Sequence, residues 1–328
     1  MSSVSESTQQ SSRTRRWWPV IKKVLTWAFF IAITIFFIVL ARSIDWAEVW
    51  QSLRGYSPGT IALAIGVALI GYAFYSTFDL LGRAYTGHHL PAKQIVPLTF
   101  VCYAFNQNLA WVGGIAMRYR LYSRLGLSSL VITRILSLSI ITNWIGYLML
   151  AGVVFAMGTI QPPPEWDLDF FALRIIGGCM VLASFIYLLA CGFSKRRAWS
   201  IRGHDIELPS LKMAALQIVL GATCWMFMAA TVWVFMPEKV SYLTTLGILL
   251  ISSIAAVLAH IPGGIGVLET VFVTLLQHEV SRADLLAALI GYRVAYFLVP
   301  LILASLVYLT FESRAKRMRS KNEAPAKA

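Results

Sequence analysis

The sequence predicts an all-α polytopic membrane protein. Of its 328 residues, 58% are hydrophobic and only 13% are charged, and several apolar runs approach or exceed the roughly 20 residues that cross a hydrocarbon core. Basic residues cluster between these runs, as they do in the cytoplasmic loops of membrane proteins. Two apolar segments are interrupted by the same three letters, GGI. Together these observations predict about six full spans plus two re-entrant helical hairpins, an eight-segment bundle arranged as an inverted repeat.

The first apolar run, residues 20–41, is interpreted as a retained span. It is too long for the core of a signal peptide, and no small-residue cleavage site follows it. Residues 44–53 place Trp46 and Trp50 on one helical face, which is typical of a helix or span anchor at the membrane surface. The remaining full spans are predicted over 58–81, 130–158, 170–193, 210–236 and 283–311.

Segments 95–127 and 241–277 do not fit single spans, because each contains an apolar run, a break and a second, shorter run. The breaks, GGI at 113–115 and at 263–265, lie at equal distances from the starts of two spans, at 20 and at 170. The chain therefore has the pattern of two membrane repeats, offset by about 150 residues. The predicted domains are a disordered basic arm, a first repeat, a second repeat and a basic tail, at 1–19, 20–158, 170–311 and 312–328.

Loop charge predicts the topology. If each interrupted segment enters and leaves on one side, the cytoplasmic segments hold 21 of the 28 Lys and Arg residues. We therefore predict a bacterial inner-membrane protein with both termini in the cytoplasm. A full crossing by 95–111 would instead place Arg118, Arg120 and Arg124 outside. For 241–277, a hairpin and two short crossings predict the same sides, so both stay open. Tandem units with an odd number of crossings have opposite orientations, as in many transporters.

The second break predicts a binding site. Pro262 removes a backbone donor and the glycines permit a turn, so a half-helix begins inside the membrane with amide groups that need protein, water or a phosphate. Glu269 on that half-helix is expected to pair with a cationic head group or with Arg293. Arg118 and Arg120 are expected to hold a phosphate in the other half-site.

The candidate substrate-binding residues are the glycines and charged residues around the two breaks. They are Gly113, Gly114, Arg118, Arg120, Gly263, Gly264, Gly266, Glu269 and Arg293, with supporting polar groups at Asn106, Asn108, Asn143, His260 and Tyr292. Close helix packing is the alternative explanation of the glycine pairs. Asp79 and Arg134 lie close enough to predicted helix ends to extend toward the surface.

Several function classes lack their sequence motifs. The chain has no GxxxxGK[ST] phosphate loop, no nucleophile elbow and no His-Glu-x-x-His zinc motif. Its four cysteines lie in apolar runs without metal-ligand spacing, and the net charge of +13 is interpreted as an orientation signal. We therefore predict that the chain is not an enzyme, uses no cofactor or metal, binds no nucleic acid and has membrane phospholipids as partners.

Four motifs carry a family resemblance over nearly the whole chain. PGGIGVLE and YRVAYFLVPL in the second half, with AWVGGIAMRYRLYSRLGLS and ITNWIGYLMLAG in the first, resemble the lysylphosphatidylglycerol synthase transmembrane, or flippase-domain, family. Its best-known members join this membrane domain to a soluble aminoacyl-transferase domain and flip the aminoacylated lipid. Because only the short basic tail follows Phe311, the resemblance implies the lipid-handling half alone, with Pro300 among the matched residues.

A lipid translocase is therefore the first functional hypothesis. As a flippase or scramblase, it would move a phospholipid or related head group through a groove between the two inverted repeats. The alternatives are a proton-coupled secondary transporter of a small solute, working through Glu269 or His260, and a non-transporting membrane scaffold. A lateral gap that reaches lipid would favour the translocase. An enclosed cavity would favour the transporter, and a dry, tightly packed centre would favour the scaffold.

Overall fold

The computed structural model describes residues 46–160, 170–194, 198–201, 204–259 and 264–323. By its internal contacts, the chain divides into Met1–Glu48 and a larger unit, Val49–Ala328. The predicted basic arm, the predicted first span at 20–41 and the loop at 161–169 lie outside the described residues.

Helices dominate the described part of the chain. In order, they are α1 (Trp46–Arg54), α2 (Pro58–Ser76), α3 (Phe78–Thr86), α4 (Ala92–Arg124), α5 (Ser129–Met157), α6 (Phe170–Phe193), α7 (Leu211–Trp233), α8 (Tyr242–Leu258), α9 (Val267–Leu276), α10 (Arg282–Arg293) and α11 (Val299–Glu323). A π-helical segment, Val294–Leu298, joins α10 to α11. Five of these helices, α2, α5, α7, α8 and α10, start after a serine whose side chain accepts a hydrogen bond from the backbone N–H three residues later.

A short β-hairpin lies between α6 and α7. Strands β1 (Ala198–Ile201) and β2 (His204–Glu207) pair antiparallel, with Ala198 opposite Glu207. The helical fold class is confirmed for the membrane-spanning part, but this hairpin was not predicted. Two strands of four residues are too short to produce a recognisable period-2 pattern.

Five helical stretches in the described residues are long and apolar enough to cross a membrane. Each overlaps a predicted full span, so the chain is a multi-pass helical membrane protein. The stretches are Pro58–Thr86, Ser129–Met157, Phe170–Phe193, Leu211–Trp233 and Arg282–Glu312.

Helices α2 and α7, which occupy equivalent places in the two predicted repeats, run antiparallel. Before the start of α2, the Tyr56 hydroxyl donates to the carbonyl of Phe235, just beyond the end of α7, at 2.8 Å. Near the end of α2, the ring of Phe74 stacks on that of Phe227 at 5.4 Å. The start of one helix therefore lies beside the end of the other.

Helix α5 runs parallel to α7. Gln217 donates to Thr142 at 3.0 Å, and further along both helices the rings of Tyr147 and Trp225 meet at 5.1 Å. Between these contacts the backbones touch, because a Cβ atom on Gly146 would overlap the backbone of Gly221. The glycines thus permit a close crossing of the kind found in membrane bundles.

We expect Gly146→Ala to destabilise the protein by about 1–3 kcal/mol, since the added methyl group meets backbone that cannot move aside without shifting a helix. Gly178→Ala is the matched control, because Gly178 lies inside a helix with nothing within 4 Å of its Cβ position. The measurement is the apparent melting temperature in detergent. Equal shifts for the two variants would contradict a tight crossing of α5 and α7.

The backbone of α4 is helical along its whole length, yet the chain reverses its direction partway through this segment. A straight helix would separate residues 106 and 114 by about 12 Å, but a Cβ atom on Gly114 would overlap the side chain of Asn106. Further out, the Tyr122 hydroxyl interacts with the side chain of Thr99, although the two are distant in the chain. These contacts describe two antiparallel arms of a helical hairpin, which we call hairpin 1 (92–124).

The reversal of hairpin 1 does not occur at its GGI sequence. The contacting pairs 106 with 114 and 99 with 122 are centred near residue 110, so Gly113 and Gly114 lie in the second arm. The prediction that this glycine pair forms the turn is wrong. Gly114 serves a different purpose, since the absence of a side chain allows the two arms to approach each other.

A second helical hairpin, hairpin 2 (242–276), is formed by α8 and α9, which pack together. A Cβ atom on Gly264 would lie 3.2 Å from that of Ala256, so this contact repeats the Asn106–Gly114 contact with the offset that the sequence predicts. Here glycine conformation does matter, because Gly264 and Gly266 adopt φ values of 59° and 84°. At 10 residues, α9 is about 15 Å long.

The doubled shape of α4 predicts a cross-link. In a background without native cysteines, Asn106→Cys combined with Gly114→Cys is expected to oxidise to a disulfide after a small adjustment of the two arms, because the two positions lie side by side. Asn143→Cys with Ala151→Cys has the same spacing on α5 and serves as the control. Mass spectrometry of the oxidised proteins distinguishes the two outcomes. Absence of the bond at 106 and 114 would contradict the hairpin.

Candidate functional site

The last membrane span changes from α-helix to π-helix near its middle, and Pro300 supplies the reason. Proline has no backbone N–H and crowds the carbonyl four residues earlier, which is that of Tyr296. The Tyr72 hydroxyl, from α2, donates to this carbonyl at 2.9 Å. A carbonyl that the helix cannot satisfy is therefore satisfied from the other predicted repeat.

The tip of hairpin 1 is tied to the same segment. The hydroxyls of Tyr103 and Tyr296 are 3.0 Å apart, and Gln107 donates to Tyr103 at 3.0 Å. Next to them, the amide of Asn108 donates to the carbonyl of Phe297 at 3.3 Å. Polar side chains of hairpin 1 thus reach the π-helical segment near the middle of the last span.

An ion pair joins hairpin 2 to the last span. The Nε of Arg293 donates to Oε1 of Glu269 at 2.7 Å, which confirms the predicted pairing. The guanidinium also donates to the carbonyl of Gly264 at 3.4 Å and lies over the ring of Phe297 at 5.8 Å. The Arg293 and Glu269 side chains are 22% and 16% exposed, so both charges remain within reach of a ligand.

Glu269 also caps the helix on which it lies. Its Oε2 accepts from the backbone N–H of Gly266, the N-cap of α9, at 2.7 Å, which is one half of a capping box. Of the three expected partners of the amide groups at this helix start, protein, water or a phosphate, the Gly266 amide is therefore bound by protein, the chain's own carboxylate. An anion entering here would compete with Glu269.

A second charged network is fully buried between α3, hairpin 1 and α5. Arg118 donates to Asp79 and to Ser139, each at 3.1 Å, and the hydroxyl of Tyr122 donates to Asp79 at 2.7 Å. Asp79 is 0% exposed, so the expectation that it extends toward the surface is wrong. The charge of Arg118 is balanced inside the protein, which separates this residue from the exposed pair at Glu269.

The other predicted site residues lie at several places in the structure. Gly266 and Tyr292 are buried beside the Glu269–Arg293 pair, and Asn106 packs on Gly114. Arg120 is exposed, with its guanidinium 5.7 Å from the ring of Tyr308, and Asn143 accepts at its carbonyl from Trp225 at 3.4 Å. Gly263 and His260 lie outside the described residues.

In the described ranges, no three His, Cys, Asp or Glu residues are grouped so as to hold a metal ion.

The tyrosine cluster was not identified from the sequence. Tyr72, Tyr103 and Tyr296 are at most 5% exposed, and in a linear sequence they are indistinguishable from packing residues. Pro300 was the available signal, because a proline inside a predicted span implies a carbonyl four residues earlier that needs another donor.

Comparisons with known proteins agree with this architecture. A family model described as the lysylphosphatidylglycerol synthase TM region matches residues 26–304. The chain is 47% identical to inner membrane protein YbhN of Escherichia coli, over 95% of this chain and 99% of that protein. It is 30% identical to uncharacterized protein slr0712 of Synechocystis, over 85% and 88% of the two chains. A shorter stretch is similar to phosphatidylglycerol lysyltransferase of Staphylococcus haemolyticus. It is 36% identical and covers 23% of this chain and 9% of that protein. Because the family match and the two long similarities cover most of its length, this multi-pass inner-membrane protein belongs to the lysylphosphatidylglycerol synthase TM-region family.

Proposed function

We propose that this chain is a lipid translocase of the bacterial inner membrane, a flippase or scramblase that moves a phospholipid head group between two inverted repeats. The observation that carries the proposal is the partly exposed Glu269–Arg293 pair on the broken-helix side of hairpin 2. Arg293 is the last of the 12 residues of α10, about 16 Å from the start of that helix. In this proposal α10 begins at the membrane surface, which puts Arg293 close to the middle of a hydrocarbon core of about 30 Å.

The energetics favour a ligand role for this pair. A charged residue at the centre of a membrane helix costs about 2.5–3.5 kcal/mol on insertion scales, and such residues are functional candidates by default. A purely structural contact could be made more cheaply by apolar side chains of similar volume. The pair keeps part of its surface exposed, as a head-group site requires.

Helix directions support the inverted arrangement. The repeat-equivalent helices α2 and α7 are antiparallel, and each proposed repeat contributes one helical hairpin with its closest contact at the equivalent place, Asn106–Gly114 and Ala256–Gly264. In this proposal both hairpins are re-entrant, and the second arm of hairpin 2, α9, is about 15 Å long, half of what a crossing needs. Transporters with this plan place their substrate where broken helices meet at the midplane.

The family also points to lipid. The relative in Staphylococcus haemolyticus is named for a reaction on phosphatidylglycerol, and this name supports a phospholipid as the ligand in our proposal. We extend to this chain only the handling of a lipid head group and not the transfer of lysine. The partners in the proposal are therefore membrane phospholipids.

Reconstitution tests the proposal. Purified protein in vesicles carrying acyl-chain NBD phospholipids is exposed to dithionite, which bleaches only the outer leaflet. We expect the protein to make inner-leaflet lipid accessible, with or without a proton gradient. The double variant Glu269→Gln/Arg293→Gln should be inactive while remaining folded. If neither protein moves any labelled lipid under either condition, the translocase proposal fails.

The proposed orientation has its own test. Both termini and Ser194 are expected on the cytoplasmic side and residues 161–169 on the periplasmic side, because the basic loops then face inward. In a background without native cysteines, an impermeant maleimide added to intact cells should label Glu165→Cys and not Ser194→Cys. Labelling of both from outside would contradict the topology.

A further inference from the structure

The Glu269–Arg293 pair presents one negative and one positive charge at a single exposed point. Both carboxylate oxygens are engaged, one with the Arg293 guanidinium and one with the Gly266 amide, each at 2.7 Å. Arg118, a buried cation of hairpin 1, is balanced by Asp79 at 3.1 Å. The Glu269–Arg293 pair therefore carries no net charge before any ligand arrives.

This neutrality discriminates between head groups. A phosphate that replaces Glu269 on Arg293 leaves the carboxylate without its partner in a medium where an unpaired charge is costly. A head group that also carries an ammonium group supplies a new partner to that carboxylate. The exchange then replaces one internal ion pair with two between protein and ligand, and no charge is left uncompensated.

The hydrogen bonds that the Glu269 carboxylate accepts limit the kind of cation that can replace Arg293. Glu269 accepts hydrogen bonds from N–H groups at both oxygens, and charge-assisted hydrogen bonds of this kind are the strong ones. A primary ammonium has three N–H donors, whereas a quaternary ammonium has none. A cation with N–H groups is therefore the better replacement for the guanidinium.

Resting on the translocase proposal, we infer that the site selects a zwitterionic aminophospholipid, with its phosphate on Arg293 and its primary ammonium on Glu269. Phosphatidylethanolamine has this head group. Phosphatidylglycerol carries the phosphate without an ammonium, and phosphatidylcholine carries an ammonium without N–H groups. All three lipids carry the phosphate, so phosphatidylglycerol tests the contribution of charge balance and phosphatidylcholine tests that of the N–H hydrogen bonds.

Transport of acyl-chain NBD derivatives of the three lipids is the first measurement, because the amine stays unmodified. We expect phosphatidylethanolamine to cross about tenfold faster than either other lipid, the effect of one charge-assisted hydrogen bond. Glu269→Gln should abolish this preference. Glu279→Gln, the same substitution at an exposed position beyond α9, should retain it. Equal rates for all three lipids would overturn the head-group inference and leave the translocase proposal standing.

Binding of short-chain lipids in detergent is the second measurement, and it does not depend on transport. Dihexanoyl phosphatidylethanolamine should raise the melting temperature of the wild type more than dihexanoyl phosphatidylglycerol or phosphatidylcholine does. The Glu269→Gln/Arg293→Gln variant should show no difference among them. If no lipid is transported but this difference is present, the translocase proposal fails and the head-group site remains. Equal stabilisation of the wild type by all three lipids overturns the inference.

Discussion

Arg118→Gln is expected to destabilise the protein by about 3–5 kcal/mol, because it leaves the carboxylate of Asp79 buried without its charged partner. Asp79 is 0% exposed and the Arg118 side chain 7% exposed, so water cannot take the place of the guanidinium. The substitution also removes one of the contacts between α3 and the second arm of hairpin 1, while Tyr122 still donates to Asp79. We expect the destabilisation as a large fall in the apparent melting temperature in detergent.

Two further variants identify the cause of that loss. Arg124→Gln lies on the same arm and breaks an exposed pair with Glu312, whose side chains are 46% and 26% exposed, so it should change the melting temperature little. Asp79→Asn combined with Arg118→Gln removes both charges and should recover much of the stability. A fully stable Arg118→Gln protein that moves no lipid would instead favour direct phosphate binding by Arg118.

The partner of Arg118 could not be predicted from the sequence. The position of Arg118 after the GGI break suggested a phosphate ligand, and an arginine suits that role chemically. Its partner, Asp79, is 39 residues earlier in the chain, and no local pattern connects the two. Only the packing of α3 against hairpin 1 reveals that the charge is already balanced.

Helix positions were predictable because they depend on local properties. Long apolar runs and the requirement for internal hydrogen bonds in lipid determine the spans, and the described spans lie where they were expected. The repeat offset was also recognisable from the two GGI breaks. The contacts Asn106–Gly114 and Ala256–Gly264 show the same offset.

The two GGI sequences nevertheless act differently. Gly264 has φ of 59° and Gly266 of 84°, so glycine permits the backbone there to leave the helical region. Gly114 is helical and is needed for the close approach of Asn106. The same glycine sequence thus meets two physical requirements. In one repeat glycine permits a left-handed backbone conformation, and in the other it leaves room for a neighbouring side chain. A motif comparison alone cannot distinguish them.

The Glu269–Arg293 pair was accessible to prediction for a different reason. Both residues lie far from the predicted ends of their segments, where a long side chain could not reach water, and opposite charges in that position have few other partners. The observed distance of 2.7 Å satisfies that expectation. What the sequence did not indicate is the second role of Glu269 as the cap of α9.

Neutralising one member of this pair is expected to be worse for stability than neutralising both. Glu269→Gln or Arg293→Gln should each cost about 3 kcal/mol, the lower end of the range for broken buried pairs, because both side chains retain some exposure. Glutamine at 269 keeps an acceptor for the Gly266 amide, as capping boxes allow. The loss therefore reports the charge and not the cap.

The double variant Glu269→Gln/Arg293→Gln should recover about 1–3 kcal/mol relative to the sum of the single changes, as coupled neighbours do. Glu279→Gln, exposed and outside the pair, controls for the substitution itself. Melting temperature and lipid movement are measured on the same preparations. Arg293→Gln and the double variant should lose transport, because the lipid phosphate then lacks its cation, so a double variant that regains stability without regaining movement separates the structural role of the charges from their role toward the lipid. Additive losses in stability would show that the two charges do not depend on each other, and full transport by the stable double variant would exclude the pair from the lipid pathway.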